Sequence, residues 1–279
     1  MSLDLSSELD IAEQLARCAG QMALDFQHDL TVGIKPNNEG PVTNADIAVD
    51  QYITKELRRY FPNDSIISEE GFNLSNFLVG AGRTWFVDPI DGTSNYLTQG
   101  RDFAVMIGLA IDGIARLGVV YQPATQTLWR GIFCKDFAKA EKIDDKDVRS
   151  LMLTPIPKLP DELTILASRS HKSPRQDAMI KALHPRQVLY QGSVGLKAMM
   201  VVEQLADLYV AWSRHIKKWD TCAPAAIAKA AGAHIYHIDL DDLDYLGPIS
   251  HQKPIMIASF APDKTLLATL ATIADERPS

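Results

Sequence analysis

The sequence predicts an α+β first half followed by an α/β second half, joined near residue 140. In the first half, two helical patterns precede a run of antiparallel strands. A charged and proline-bearing segment, 135–162, separates that run from the rest of the chain. Beyond it, short apolar runs alternate with helical patterns. We therefore divide the chain into an N-terminal α+β half, 1–140, and a C-terminal α/β half, 141–279. The alternative is that the segment is an excursion within one domain.

The first half begins with two amphipathic helices. Apolar residues recur at helical spacing from Leu9 to Phe26, and Ser7 precedes them as a candidate cap. A second helix is predicted from Thr43 to about Tyr60, because Pro62 cannot continue it. Two short strands and a meander with an Asp-Gly turn follow: 65–68, 84–87, Phe103–Ile111, Ile114–Tyr121 and Thr127–Phe133.

The second half alternates strands and helices, which is typical of an α/β arrangement. The predicted strands are Leu163–Ala167, Gln187–Tyr190, Asp207–Ala211, His234–Ile238 and Pro254–Ser259. The predicted helices are Ser173–Leu183, Val194–Gln204, Thr221–Ala231 and Asp263–Ile273.

The composition excludes several classes of protein. A net charge of −7 argues against a nucleic-acid polymer as partner. The longest apolar stretch, Phe103–Ile111, has nine residues, whereas a membrane span needs about 20. Residues 1–10 carry acids and serines, unlike a signal peptide. Cys18, Cys134 and Cys222 lie far apart, so we expect no disulfide framework and a cytoplasmic location.

The most informative segment is a hydrophobic strand that ends in two acids three residues apart, Asp88 and Asp91. Pro89 and Gly92 form the turn between and after them, so both carboxylates and the Ile90 carbonyl can point at one place. Hard oxygen ligands of this kind suit Mg²⁺ rather than zinc. The alternative interpretation is an ordinary Asp-Gly turn.

Three other acidic positions stand at the ends of predicted elements. Glu69 and Glu70 follow a short strand, where a cation would relieve their repulsion; two solvated loop acids are the alternative. Asp46 lies three residues after Thr43, which is a capping arrangement, and it could also accept a proton from a hydroxyl. Asp220 opens a helix of small residues, where an N-cap is the alternative.

In this order and at these separations, the four segments resemble the inositol monophosphatase family of metal-dependent phosphatases. The matching motifs are V-T-x-x-D, the glutamate pair, D-P-[IL]-D-G-T after a Trp-led strand, and a late W-D. The resemblance covers nearly the whole chain. It implies a layered α-β-α-β-α sandwich of the sugar-phosphatase type and hydrolysis of a phosphate monoester by in-line attack of a metal-activated water.

The same resemblance implies roles for individual residues. Asp46 and Thr93 would position and help to deprotonate the attacking water, and Glu69 would take part in catalysis beside the metals. Lys35 stands where the family often has a lysine near the metals, although a solvated lysine is the alternative. Two or three Mg²⁺ would be held by Glu69, Asp88, the Ile90 carbonyl, Asp91 and Asp220.

Three segments of the second half resemble the 3′(2′),5′-bisphosphate nucleotidase branch of the family: 167–171, 192–197 and 217–224. That branch removes the 3′-phosphate of 3′-phosphoadenosine 5′-phosphate and serves sulfur metabolism. A Gly-Ser turn at a helix start also offers N–H groups to a phosphate. The predicted substrate contacts are Asp91, Gly92, Thr93, Ser94, His171, Ser193, Lys197 and Asp220.

One tripeptide favours another substrate. Ser94-Asn95-Tyr96 follows Asp-Gly-Thr, where nucleotidases of that branch usually continue Lys-Glu-aromatic and inositol monophosphatases Thr-Asn-Phe. An inositol monophosphatase or a broad sugar-phosphate phosphatase is therefore the alternative. A catalytically silent nucleotide- or metal-binding regulator is a second alternative from another class. The resemblance is compatible with a monomer and with a homodimer.

Overall fold

The computed structural model describes residues 3–35, 40–71, 78–170, 173–213 and 216–275. Its helices are α1 (Ser6–Phe26), α2 (Asn44–Tyr60), α3 (Thr93–Leu97), α4 (Pro174–Leu183), α5 (Val194–Val202), α6 (Lys218–Ala231) and α7 (Lys264–Asp275). Its strands in the first half are β1 (Val32–Ile34), β2 (Pro41–Thr43), β3 (Ser65–Ser68), β4 (Leu78–Val79), β5 (Arg83–Asp91), β6 (Ala104–Ile111), β7 (Ile114–Gln122), β8 (Thr127–Cys134) and β9 (Phe137–Ile143). The later strands are β10 (Val148–Ser150), β11 (Thr164–Ser168), β12 (Gln187–Gln191), β13 (Leu208–Ala211), β14 (His234–His237), β15 (Gly247–Pro248) and β16 (Ile255–Ala258).

Two sheets form the frame of the fold. In the described residues the first has the order β10-β9-β8-β7-β6-β5-β3 and is antiparallel except where β3 runs parallel to β5. The second has the order β12-β11-β13-β16-β14 and is mixed. At the predicted hairpin turn, Asp112 and Gly113 adopt φ values of 49° and 79°, as a tight two-residue turn between twisted strands requires.

Five layers follow from how the sheets bury their faces. Helices α1 and α2 cover the outer face of the first sheet, where Trp85 and Val87 point. Helices α5 and α6 lie between the sheets, against Phe86 on the inner face. Helices α4 and α7 cover the outer face of the second sheet. The predicted α-β-α-β-α sandwich is confirmed.

A pair of glycines lets α6 lie unusually close to the first sheet. Gly108 and Gly118 are opposite each other on β6 and β7. A Cβ atom on Gly118 would lie 2.1 Å from the Ala223 carbonyl oxygen, and one on Gly108 would lie 2.6 Å from the Ala223 nitrogen. Any side chain there would therefore push α6 away. This close contact fixes the helix whose first turn carries Asp220.

The segment 135–162 contains structure that the sequence analysis did not predict. Strands β9 and β10 lie within it, and β10 pairs with β9 at the edge of the first sheet. The first sheet therefore continues past residue 140. The division of the chain into the halves 1–140 and 141–279 stays a prediction.

Helix starts agree with the sequence in one case and differ in two. Thr43 caps α2 as predicted, since its side chain and that of Asp46 bond each other's backbone N–H groups. Helix α1 begins at Ser6 without a side-chain cap, so the prediction that Ser7 caps it was wrong. Helix α6 begins at Lys218 rather than Thr221, which places Asp220 inside its first turn. Among the described residues, no helix is long and apolar enough to cross a bilayer.

Candidate active site

A cleft of about 690 Å³ lies where both sheets and helices α3, α5 and α6 meet. Its wall includes all four acids that the sequence assigned to metal binding, Glu69, Asp88, Asp91 and Asp220. They come from the end of β3, the end of β5 and the start of α6, so only the folded chain brings them together. The volume lies within the range of small-molecule sites, about 300–1,000 Å³.

The end of β5 is built to turn its acids into the cleft. The pairing of β5 with β6 is irregular between Asp88 and Asp91, which frees both carboxylates from the regular alternation of the strand. The Ile90 N–H donates to Asp88 Oδ1 over 3.1 Å and holds that carboxylate in place. Gly92 follows with φ 102°, and a Cβ there would lie 2.8 Å from the Asp102 carbonyl oxygen. Glycine is therefore required at this turn.

Asp91 is bound by the first turn of α5. It accepts hydrogen bonds from Ser193 Oγ at 2.5 Å, from the Val194 N–H at 3.1 Å and from the Gly195 N–H at 2.7 Å. Burial raises the pKa of Asp91, and these donors act against that rise. The donors that the sequence analysis offered to a substrate phosphate thus face Asp91 instead.

Lys35 joins the two glutamates that follow β3. Its Nζ lies 2.5 Å from Glu69 Oε1 and 2.5 Å from Glu70 Oε1. Burial alone would lower the pKa of Lys35, but the charges of Glu69 and Glu70 raise it above its usual range. Burial, with the charge of Glu69, raises the pKa of Glu70 to about 7. The lysine therefore compensates the negative charge on this side of the cleft.

The remaining acids repel one another. Burial first, and then the charge of Glu69, raise the pKa values of Asp88 and Asp220 well above the usual range. Asp220 also accepts a hydrogen bond from the Lys217 N–H over 2.7 Å. Such mutual repulsion favours the binding of cations between the carboxylates.

The donor set fits Mg²⁺ in its chemistry. Carboxylate oxygens and a backbone carbonyl are the ligands that hard cations prefer. Across the described ranges, no three His, Cys, Asp or Glu side chains are arranged to hold an ion as they stand. Each acid already has a partner in Lys35, the Lys217 N–H, the first turn of α5 or the Ile90 N–H.

Thr93, which lines the cleft, forms a contact with Asp46. The Thr93 hydroxyl lies 3.3 Å from Asp46 Oδ1 and 3.2 Å from the Ile90 carbonyl oxygen, and both can accept its proton. Asp46 is fully buried, and its Oδ2 accepts from the Thr43 N–H and hydroxyl. Burial raises the pKa of Asp46, which makes the carboxylate a stronger base.

Asp50 supports the cleft from behind its lining residues and was not predicted. It lies one helical turn after Asp46 on α2, with 5% of its surface exposed. Its carboxylate accepts hydrogen bonds from the Ser68 hydroxyl and from the backbone of Glu70. It therefore ties the helix that carries Asp46 to the loop that carries Glu69. The i, i+4 spacing of the two aspartates was the signal that could have revealed it.

Every predicted substrate contact that the structure describes lines the cleft. Gly92, Thr93, Ser94 and Ser193 line the cleft. Lys197 also lines it, with its Nζ 3.4 Å from Ser168 Oγ and 4.8 Å from the centre of the Tyr209 ring. Burial lowers the pKa of Lys197 to about 8, against the opposing charges of Asp91, Asp220 and Asp102. His171 lies outside the described residues.

A phosphate group entering this cleft would meet carboxylates, which require cations, and a hydroxyl–carboxylate pair that can take a proton from water. The fold and the cleft together define an enzyme that hydrolyses phosphoric monoesters.

Comparisons with known proteins agree. A model of the inositol monophosphatase family matches residues 4–277. The chain is 33% identical over 256 residues to the 3′(2′),5′-bisphosphate nucleotidase CysQ of Escherichia coli K12, covering 88% of this chain and 97% of the relative. It is 32% identical over 251 residues to the enzyme of the same name from Salmonella typhimurium, covering 86% and 95%. The chain belongs to the inositol monophosphatase family.

Solved structures show the same fold. The IMPase of Thermotoga maritima superposes with a TM-score of 0.79 at 21% identity, covering 96% of this chain and 98% of that one. The inositol monophosphatase of Anabaena gives a TM-score of 0.74 at 24% identity, covering 97% of each chain.

Proposed function

We propose that this enzyme is a Mg²⁺-dependent 3′(2′),5′-bisphosphate nucleotidase. It would remove the 3′-phosphate of 3′-phosphoadenosine 5′-phosphate and release AMP and phosphate. The observation that carries the substrate assignment is the identity of 32–33% to nucleotidases of that name over nearly their whole length. A cytoplasmic location and the oligomeric state stay predictions.

The cleft residues have separate tasks in this reaction. Glu69, Asp88, Asp91, Asp220 and the Ile90 carbonyl are the groups that would hold two or three Mg²⁺. The bound ions supply positive charge that acidifies water and offsets the charge on the leaving oxygen. Lys197 lies opposite Asp91 and Asp220 and would bind an oxygen of the reacting phosphate.

Proton transfer is the task of Thr93 and Asp46. The Thr93 hydroxyl accepts a proton from the attacking water as it donates its own proton to Asp46. The new phosphorus–oxygen bond forms as the bond from phosphorus to the 3′-oxygen breaks. That oxygen leaves with the bonding pair and takes a proton from solvent water, and Asp46 returns its proton to solvent. Contact of Thr93 with Asp46 over 3.3 Å supports this relay.

The Ser94-Asn95-Tyr96 tripeptide supports inositol phosphate as substrate less than its sequence suggests. Tyr96 is fully buried, and its hydroxyl donates to the Ala23 carbonyl over 2.5 Å. Asn95 is 8% exposed and accepts from the Ser170 hydroxyl over 3.3 Å. The Tyr96 side chain therefore serves packing, whereas Asn95 lines the cleft. Ser94 and Asn95 are the members of the tripeptide that line the cleft, so the alternative rests on these two residues.

The direct test is phosphate release with Mg²⁺ from 3′-phosphoadenosine 5′-phosphate and from inositol 1-phosphate at equal concentration. We expect strong preference for the nucleotide. Preference for inositol 1-phosphate would establish the alternative substrate, and inactivity on both would contradict the proposal.

A paired variant tests whether the cleft performs the reaction. Asp91→Asn should lose most activity and Mg²⁺ affinity, because three donors and the metals all depend on its charge. Asp25→Asn, at an exposed position of α1, is the matched control and should behave as the wild type. Full turnover by Asp91→Asn would contradict the assignment of Asp91 as a metal ligand of the reaction.

A further inference from the structure

The positive charges of the cleft fall into two groups. Among the described residues that line it, the cations are Lys35, Arg169, Arg175 and Lys197. Lys35 is paired with the glutamates, and Lys197 lies within the electrostatic influence of Asp91 and Asp220. These two lysines therefore serve the end of the cleft where the ester is cleaved.

The two arginines belong to the second half of the chain. Arg175 opens α4, and its guanidinium donates to the carbonyls of Ile273 and Ala274 over 3.3 Å and 3.1 Å. It thereby satisfies the last turn of α7. Arg169 directly follows β11, and its side chain is 52% exposed at the cleft wall. Arg169 is thus the more accessible of the two guanidinium groups.

Hydrogen bonds hold Arg169 in place, but its ion pair can still be exchanged. One terminal nitrogen donates to the Tyr190 carbonyl over 2.9 Å, and its backbone N–H donates to the Gln191 carbonyl over 3.2 Å. The other terminal nitrogen pairs with the Asp102 carboxylate. Because the arginine is half exposed, this ion pair contributes little to stability and can be exchanged for a stronger anion.

Asp102 fixes where that exchange takes place. Its carbonyl oxygen would lie 2.8 Å from a Cβ on Gly92 and 3.0 Å from one on Gly192. The residue is therefore wedged between the turn after Asp91 and the turn that opens α5. The ion pair with Asp102 therefore places Arg169 beside the turns that carry the reacting acids.

We propose that Arg169 binds the second phosphate of a bisphosphate nucleotide, which displaces the Asp102 carboxylate from the guanidinium. This inference rests on the proposed function. A phosphate dianion can accept from the terminal nitrogen that now pairs with Asp102, and it carries more charge than the carboxylate. A substrate with one phosphate leaves Arg169 paired with Asp102 and gains no binding energy from the arginine. Arg169 would thus select for substrates that carry a phosphate at both ends.

The test compares two esters that share the reacting 3′-phosphate: 3′-phosphoadenosine 5′-phosphate and adenosine 3′-monophosphate. Arg169→Gln should lower kcat/KM for the bisphosphate about tenfold or more, from loss of a charged hydrogen bond. It should leave kcat/KM for the monophosphate within about twofold. Arg169→Lys, which keeps the charge but loses the fork, should be intermediate. Arg101→Gln, an exposed arginine outside the cleft wall, is the matched control and should change neither value.

Binding of the product gives a readout that is independent of turnover. In Arg169→Gln, inhibition by 5′-AMP should weaken, whereas inhibition by inorganic phosphate should not change. An equal loss on both esters, or retained preference for the bisphosphate, would overturn the role of Arg169 while the proposed function stands. Failure of the wild-type enzyme to hydrolyse either nucleotide would overturn both.

Discussion

Replacement of Lys197 by Met should make the protein more stable and less active. The side chain is 3% exposed, and burial lowers its pKa from 10.5 to about 8. A fall of about 2.5 in pKa corresponds to about 3 kcal/mol that folding loses by keeping the ammonium charged at pH 7. Met has a similar length and no charge to desolvate. We expect the free energy of unfolding to rise by about 1–3 kcal/mol and Tm by about 2–10 °C.

The pH dependence identifies the cause. The unfolded lysine keeps its proton up to about pH 10.4, whereas the folded one loses it above about pH 8. The penalty is therefore complete below pH 8, and it fades as the pH rises from 8 towards 10.4. Calorimetry in the presence of a chelator should show the largest Tm difference near pH 7 and almost none near pH 10.4.

A matched control and an activity assay complete this experiment. Lys181→Met, at an exposed position of α4, should shift Tm little at any pH. Phosphate release by Lys197→Met should fall about tenfold or more, because a charged contact to the substrate is lost. If Lys197→Met were less stable at pH 7, or equally shifted at both pH values, the desolvation argument would be refuted.

Three further changes test how the site is held. Gly118→Ala should destabilise the protein by about 1–3 kcal/mol and lower activity, because the added Cβ displaces the helix that carries Asp220. Gly80→Ala is the control: a Cβ there meets nothing within 4 Å, so thermal unfolding and turnover should not change. Asp50→Ala should weaken Mg²⁺ binding about 10- to 100-fold by calorimetry, with Asp50→Asn closer to wild type; unchanged affinity would remove Asp50 from the site. Thr93→Val should lower kcat about 10²- to 10⁴-fold with little change in KM, and Thr93→Ser should restore most of it; full activity of the valine variant would contradict the proton relay.

The elements that the sequence predicts well are those whose signal is local. Thr43 and Asp46, which form the α2 cap, are three residues apart. The Asp112-Gly113 turn is predicted from two adjacent residues. The missed strands have weaker patterns. Phe137–Ile143 is largely exposed along its first three residues and carries charges, so it lacks the apolar alternation of a central strand. The formation of such a strand depends on the neighbours that it pairs with, here β8 and β10.

The residues of the cleft also divide into those with a local sequence signal and those without one. The acids could be identified from motifs, but their partners could not. Asp91 meets the start of α5 more than a hundred positions later, and no local pattern encodes that contact. Arg169 and Asp102 likewise meet across 67 positions. Such pairings require the packed sheets, because sequence spacing alone does not determine which turns of two halves come together.

The most direct test of the central claim is phosphorus NMR of 3′-phosphoadenosine 5′-phosphate during incubation with the enzyme and Mg²⁺. We expect the 3′-phosphate resonance to disappear as inorganic phosphate grows, with the 5′-phosphate resonance retained and AMP as the nucleotide product. Addition of a chelator should stop the reaction, and excess Mg²⁺ should restart it. Loss of the 5′-phosphate instead, or no release of phosphate, would contradict the assignment.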